Sequence, residues 1–132
     1  LIELQGTVVR TTIEDGDHVR AVNLRSVCLS AKHAMPHLRR SRGVIVNIAS
    51  IDGLWAEPSL AAYCAAKGGV IALTRAIAID HGHEGVRCMF ICPSYVQTDM
   101  LEPFFDAQPA PSIARSEAAG MHPPGPLPTP DA

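Results

Sequence analysis

Two short apolar runs with a long helical pattern between them constrain the fold of this chain more than any other feature. The runs are VIVNIAS at 44–50 and VRCMFIC at 86–92, and residues 59–81 carry apolar side chains at helical spacing. Strands joined by a crossover of this length pair in parallel. Their nearly unbroken apolar composition is typical of strands buried on both faces of a sheet. The sequence therefore predicts the α/β class, with a doubly wound parallel sheet.

Residues 11–43 predict one long helix in front of the first strand. Thr11 and Glu14 match a capping box at its start, and Gly43 is expected to end it. Pro36 is expected to kink or shorten the last turns, because proline lacks the N–H that the helix needs. After the second strand, residues 99–122 predict a loop or short helices.

Composition limits the classes of function. The chain has 132 residues, 47% of them hydrophobic and 18% charged, which suits one globular domain. A net charge of −2 makes nucleic acid an unsuitable partner, and no apolar run is as long as the roughly 18 residues that span a bilayer. The four cysteines form no CxxC pair, and we expect them to be reduced core residues of a cytoplasmic protein.

Four polar residues stand at separations that suggest one catalytic site. Tyr63 and Lys67 are four residues apart on the second helix and so share a face. Ser50 precedes Tyr63 by 13 residues and ends the first strand, at the sheet edge where α/β proteins bind ligands. Asn23 lies 27 residues before Ser50. A phenol ionises near pH 10, so it needs a neighbouring cation to act as an acid or base near neutrality.

The segments around these residues resemble a known family. AVNL, GVIVNIAS, YCAAK and VRCMFICPSYVQTDM are similar to blocks of the short-chain dehydrogenase/reductase family, in family order and at family spacing. The resemblance implies a Rossmann-like sheet of which 1–132 form a single partial domain. The family's TGxxxGxG turn and NNAG segment do not occur, so strands one to four and the seventh are expected to be absent. Residues 99–125 would form the lid or loop region over the substrate.

The resemblance also implies an NAD(P)-dependent oxidoreductase that interconverts an alcohol and a carbonyl by hydride transfer. Its acid or base would be a tyrosine, helped by a lysine, with a serine on the substrate oxygen and an asparagine holding a proton-relay water. The implied catalytic residues are Asn23, Ser50, Tyr63 and Lys67, and the implied cofactor-binding residues are Tyr63, Lys67, Pro93, Val96 and Thr98. The cofactor is NAD or NADP; the sequence leaves both open.

Several alternatives stay open. Tyr63 is alternatively a core aromatic residue, Ser50 a strand end, and Asn23 a polar residue facing water. Six apolar residues either line a substrate pocket or simply pack: Trp55, Tyr95, Met100, Leu101, Phe104 and Phe105. His33 and His37 have helical metal-ligand spacing but no evident third ligand, so no metal site is expected.

The expected partners are a small alcohol or carbonyl substrate and further copies of the chain. Homo-oligomerisation would use helices 11–42 and 59–81, while nucleic acid and membranes are not expected. Met89 and Ser94 stand where the family usually has Asn and Gly, which affects cofactor fit more than the chemistry. The alternative function is a non-catalytic fragment, or a helix-mediated interaction module, that binds no dinucleotide. For the isolated chain we expect this alternative.

Overall fold

The computed structural model describes residues 4–99, 101–123 and 125–131. Its contacts divide the chain into two units, Leu1–Cys92 and Pro93–Ala132.

The first unit is built around a strand–helix–strand repeat. Its elements are helix α1 (Ile13–Arg20), a π-helical turn (Ala21–Arg25), helix α2 (Ser26–Ser41), strand β1 (Val44–Ile48), a 3-10 turn (Ile51–Gly53), helix α3 (Ala61–His81), a 3-10 turn (Gly82–Glu84) and strand β2 (Arg87–Ile91). The two strands pair in parallel, with Val44 opposite Arg87 and Ile48 opposite Ile91. The predicted α/β class and parallel pairing are confirmed.

The two ends of the long helical segment differ from the prediction by one residue each. Thr12, not Thr11, caps the helix, since its side chain accepts a hydrogen bond from the Asp15 N–H. At the other end Arg42, not Gly43, adopts the left-handed conformation with φ 50°. The Gly43 N–H then reaches back to the Leu38 carbonyl at 2.9 Å, which completes a Schellman-type ending.

Two features inside this segment also depart from expectation. The helix does not stop near Pro36, because α2 continues to Ser41, so the expected shortening was wrong. The helix is interrupted instead at Ala21–Arg25, which form a π-helical turn between α1 and α2. π turns widen the backbone spiral and often occur at functional sites.

The core of the first unit lies between the helices and one face of the sheet. One cluster joins α2, α3 and the start of β2 through Ala31, Met35, Ile77 and Val86, and a second consists of Ala49, Val70 and Ile71. The opposite face of β1 is open: Val44, Val46 and Ile48 are 41%, 46% and 54% exposed. The expected burial on both faces was therefore wrong for the described chain, because its helices cover only one face.

All four cysteines are free thiols, but Cys28 is exposed, so its expected place in the core was wrong. The helical stretch Ala61–Glu84 is long and apolar enough to cross a membrane by length and composition alone, contrary to the expectation from apolar runs. Nearly half of its most apolar window, 44%, is buried inside the protein, and the core helix of a soluble protein passes the same test. This stretch is weak evidence for a membrane span.

The second unit contains helices α4 (Leu101–Asp106) and α5 (Pro111–Gly120), as the prediction of short helices required. Leu101, Phe105 and Ala118 form its core, with Tyr95 and Phe104 packed against them. These side chains pack together, and their role in lining a substrate pocket stays a prediction. Met100 lies outside the described residues.

Candidate active site

Lys67 is the most deeply buried charged residue among those described, and it lies beside Tyr63. Both side chains belong to α3, one helical turn apart, and they are 2% and 4% exposed. The Lys67 Nζ donates a hydrogen bond of 2.7 Å to the Ile48 carbonyl at the end of β1. It lies 5.8 Å from the centre of the Tyr63 ring. The helix and the strand end together therefore hold an ammonium against a phenol.

Burial and neighbouring charges act on Lys67 in opposite directions. Burial is the larger influence and lowers the pKa of Lys67, because an ammonium loses solvation inside the protein. Electrostatic interactions with Cys92 and Asp52 raise the same pKa, with a smaller effect than burial. The site thus keeps a cation in a poorly solvated position, where its charge acts strongly on nearby groups.

Ser50 stands at the turn that follows β1 and is linked twice to Asp52. The Ser50 Oγ donates to the Asp52 Oδ2 at 2.9 Å and accepts from the Asp52 N–H at 3.2 Å. The same turn lies directly against α3, since a Cβ on Gly53 would meet the Lys67 carbonyl carbon and oxygen at 2.8 Å. Only glycine permits this approach, which brings the Ser50 turn to the helix that carries Tyr63 and Lys67.

Asp52 is a site residue that the sequence analysis missed. Burial raises the pKa of Asp52 above its ordinary value, while the Ser50 hydrogen bond, its own backbone and the Lys67 charge lower it. Its Oδ1 is buried and has no hydrogen-bond partner in the described part of the chain. The available signal was a hydroxyl residue two positions before a carboxylate at a strand end, a spacing that favours a local side-chain turn.

Asn23 lies in the π-helical turn and is 3% exposed, so the alternative that it faces water is wrong. Leu24, its neighbour, packs closely on α3, where a Cβ at Gly69 would meet its Cδ2 at 2.7 Å. Asn23, Ile48 and Lys67 line one open groove of about 500 Å³. The structure thus brings Asn23 to the same groove as the Lys67 ammonium.

The predicted cofactor-binding residues Pro93, Val96 and Thr98 lie outside the first unit. They belong to the second unit, where the Thr98 carbonyl accepts a hydrogen bond from the Leu101 N–H at 2.9 Å. Their role in binding a cofactor stays a prediction. Trp55, in the first unit, is 57% exposed.

Comparison with known proteins identifies the family. A family model described as enoyl-(acyl carrier protein) reductase matches residues 1–128. A solved oxidoreductase of the short-chain dehydrogenase/reductase family from Burkholderia thailandensis superimposes with a TM-score of 0.84 and 27% identity, covering 98% of this chain and 50% of that one. The chain belongs to the short-chain dehydrogenase/reductase family. The resemblance expected from the sequence is confirmed.

Two further similar proteins are dehydrogenases, and they show how much of a relative's length this chain spans. Meso-2,3-butanediol dehydrogenase of Serratia marcescens is 46% identical over 99 residues, which are 75% of this chain and 39% of that protein. A solved 4-hydroxyisoleucine dehydrogenase, complexed with NADH, has a TM-score of 0.85 and 28% identity, over 98% of this chain and 53% of that one. The chain therefore spans about two fifths of the length of the curated relatives that it matches.

Proposed function

We propose that the complete protein is an NAD(P)-dependent oxidoreductase that interconverts an alcohol and a carbonyl by hydride transfer, with Tyr63 as the acid or base. The observation that carries this proposal is the buried Lys67 ammonium, 5.8 Å from the centre of the Tyr63 ring. Lysine side chains are almost never fully buried unless they are paired. Here its charge favours the ionised phenol, which is the form that removes a proton from an alcohol.

The other two predicted catalytic residues, Ser50 and Asn23, have positions that support their proposed roles. Ser50 would donate a hydrogen bond to the substrate oxygen, and it lies on the turn that packs against α3 at Lys67. Asn23 would hold a relay water, and it lines the groove that contains Lys67. During alcohol oxidation Tyr63 takes the hydroxyl proton, and the relay through Lys67 and Asn23 carries it towards solvent.

The donor set near Tyr63 fits a nicotinamide nucleotide, which supplies or accepts the hydride when it is bound. The Lys67 ammonium has three N–H donors, and the Ile48 carbonyl takes one of them. The ammonium therefore has donors for the ribose hydroxyls. We propose that Tyr63 and Lys67 contact the ribose and that Pro93, Val96 and Thr98 contact the carboxamide end. The nucleotide is NAD or NADP.

The proposed substrate is a small secondary alcohol or the matching ketone. The relatives described above are named for 2,3-butanediol and 4-hydroxyisoleucine, and both compounds carry a secondary hydroxyl. The test is steady-state oxidation of NADH and of NADPH by the complete protein with a panel of small ketones and hydroxyketones. Turnover with one of the two cofactors supports the proposal, and no turnover with any ketone or corresponding alcohol would reject it.

We propose two further properties of the complete protein. It forms homo-oligomers through α2 and α3, which is supported by the shallow apolar groove between them at Met35, Leu73 and Ile77. It is cytoplasmic, which is supported by four free thiols. Light scattering tests the first property, where a monomeric mass at micromolar concentration would refute it. Fractionation of the host cell tests the second, where recovery outside the cytoplasm would refute it.

For the isolated chain of 132 residues we propose the second candidate, a non-catalytic module that binds no dinucleotide. Its support is the open apolar sheet face, where Val46, Ile48 and Met89 are 46%, 54% and 45% exposed. Titration with NADH and NADPH, followed by nicotinamide fluorescence, distinguishes the two candidates. Micromolar binding by the isolated chain would reject the non-catalytic module.

A further inference from the structure

Ser50 has only one proton to donate, and in this structure it donates that proton within its own turn. The Oγ–H points to the Asp52 Oδ2 at 2.9 Å. The Asp52 N–H donates to the same Oγ at 3.2 Å, so one acceptor site of the hydroxyl is also occupied. A serine hydroxyl has one donor and two acceptor sites. While Asp52 is ionised, Ser50 can donate to a substrate oxygen only by giving up this charge-assisted hydrogen bond.

Protonation of Asp52 reverses this arrangement. A carboxylic acid has an O–H of its own, and at 2.9 Å it can donate to the Ser50 Oγ. The Ser50 proton is then released for another acceptor. The substrate oxygen needs such a donor in both reaction directions, because negative charge develops on it.

We propose that Asp52 is a positioning residue that decides whether the Ser50 hydroxyl donates its proton to Asp52 or to the substrate oxygen. This inference rests on the proposed function, since it concerns the same Ser50. It predicts tighter substrate binding at low pH, where Asp52 is protonated, than at high pH, where it is ionised.

The surroundings of Asp52 move its protonation to a higher pH than that of an ordinary aspartate. Burial raises the pKa of Asp52, and it outweighs the lowering effects of the Ser50 hydrogen bond and the Lys67 charge. The Lys67 ammonium and the Cys64 thiol, both on α3, interact electrostatically with Asp52. Glu57 acts in turn on Cys64.

The first experiment measures the link between Ser50 and Asp52 without any turnover. In the complete protein the side-chain carboxyl carbon of Asp52 is followed by ¹³C NMR as pH changes, in the wild type and in Ser50→Ala. Loss of the Ser50 donor removes a hydrogen bond to the ionised form, so the Asp52 titration should move to higher pH. An unchanged titration would overturn the inference.

The second experiment measures its consequence for the substrate. KM for the ketone is measured against pH, at saturating nicotinamide, in the wild type and in Asp52→Asn, whose amide can donate permanently to the Ser50 Oγ. The wild-type KM should rise by about tenfold across the Asp52 titration, as expected for one lost hydrogen bond, while the Asp52→Asn value stays flat. The exposed Asp80, at the end of α3, gives the matched control, because Asp80→Asn should follow the wild type.

The outcomes separate this inference from the proposed function. Turnover with superimposed KM profiles for the wild type and Asp52→Asn would overturn the inference alone. Absence of turnover in the wild type would overturn the proposed function. It would also overturn the role of Ser50 as a donor to the substrate oxygen. If Asp52→Asn does not fold, the Ser50→Ala titration still decides whether the two side chains are coupled.

Discussion

Replacing Lys67 by methionine tests the electrostatic part of the account. Methionine has a similar length and no charge, so the substitution removes the ammonium that lies 5.8 Å from the centre of the Tyr63 ring. With the distance from the ammonium to the ring centre taken as the charge separation, and an effective dielectric constant of about 20, Coulomb's law gives a stabilisation of the phenolate of about 3 kcal/mol. This corresponds to about a hundredfold loss in kcat/KM for alcohol oxidation near neutral pH. The loss should shrink as pH rises, since hydroxide then ionises the phenol without the help of a cation.

The measurement is a pH profile of kcat/KM for the wild type, Lys67→Met and Lys67→Arg in the complete protein. Lys67→Arg keeps the charge but not its position, so it should retain more activity than Lys67→Met at neutral pH. Arg10 is the control, because it is an exposed cation outside α2 and α3, and Arg10→Met should behave like the wild type. Both Lys67 variants alter the hydrogen bond to the Ile48 carbonyl, which could destabilise the fold. Urea unfolding of each variant checks that the protein is still folded in the assay. A Lys67→Met profile parallel to that of the wild type and less than threefold lower would refute the reasoning.

Three further substitutions test the packing, a buried hydrogen bond and a surface charge of the first unit. Gly53→Ala would place a methyl group 2.8 Å from the Lys67 backbone, and it should lower the free energy of unfolding in urea by about 1–3 kcal/mol. Thr74→Val removes the oxygen that accepts a hydrogen bond from Asn47 Nδ2 at 2.8 Å, and it should cost about 1–3 kcal/mol in the same assay because the buried amide keeps only the weaker bond to the Cys88 sulfur. Glu84→Gln should lower the melting temperature at neutral pH and have a vanishing effect in acid. Hydrogen bonding to His81, followed by Arg39, lowers the pKa of Glu84 below its ordinary value of 4.5, so its stabilisation is complete above that pH and is lost as pH falls through the folded-state pKa.

Each of these substitutions has a control in the same chain. A Cβ at Gly82 meets nothing within 4 Å, so Gly82→Ala should leave the unfolding free energy unchanged or slightly higher. Thr74→Ser keeps the hydroxyl and should destabilise less than Thr74→Val. Glu117 is exposed on α5, so Glu117→Gln should not reproduce the pH-dependent loss. Equal effects of a substitution and its control would contradict the structural reason given for it.

The sequence was sufficient for the elements that depend on simple periodicity. The parallel strands at Val44–Ile48 and Arg87–Ile91 and the helix Ala61–His81 follow from apolar runs and helical spacing, and each lies within the predicted range. The pairing of Tyr63 with Lys67 follows from the four-residue spacing in the same way. These predictions succeeded because each depends on neighbours in sequence.

Features that depend on contacts between distant segments were missed. The π-helical turn around Asn23 has no local signal, and Leu24 within it packs against Gly69, far along the chain. Arg42, rather than the neighbouring glycine, takes the left-handed position, with its side chain lying close to Gly85. Asp52 was missed because its role depends on burial against α3, and burial cannot be inferred from the local sequence Ser50-Ile51-Asp52 alone.

The central claim is that Tyr63 exchanges the proton of the substrate oxygen while a nicotinamide nucleotide exchanges the hydride. Tyr63→Phe removes the phenolic oxygen and keeps the ring, so it separates proton transfer from cofactor binding. In the complete protein, turnover and the affinity for the nicotinamide nucleotide should be measured on the same preparation of this variant. Tyr63→Phe should show no detectable turnover, and its affinity for the nucleotide should fall by no more than the roughly tenfold expected for one hydrogen bond to the ribose. Turnover at the wild-type rate would contradict the proposed role of Tyr63.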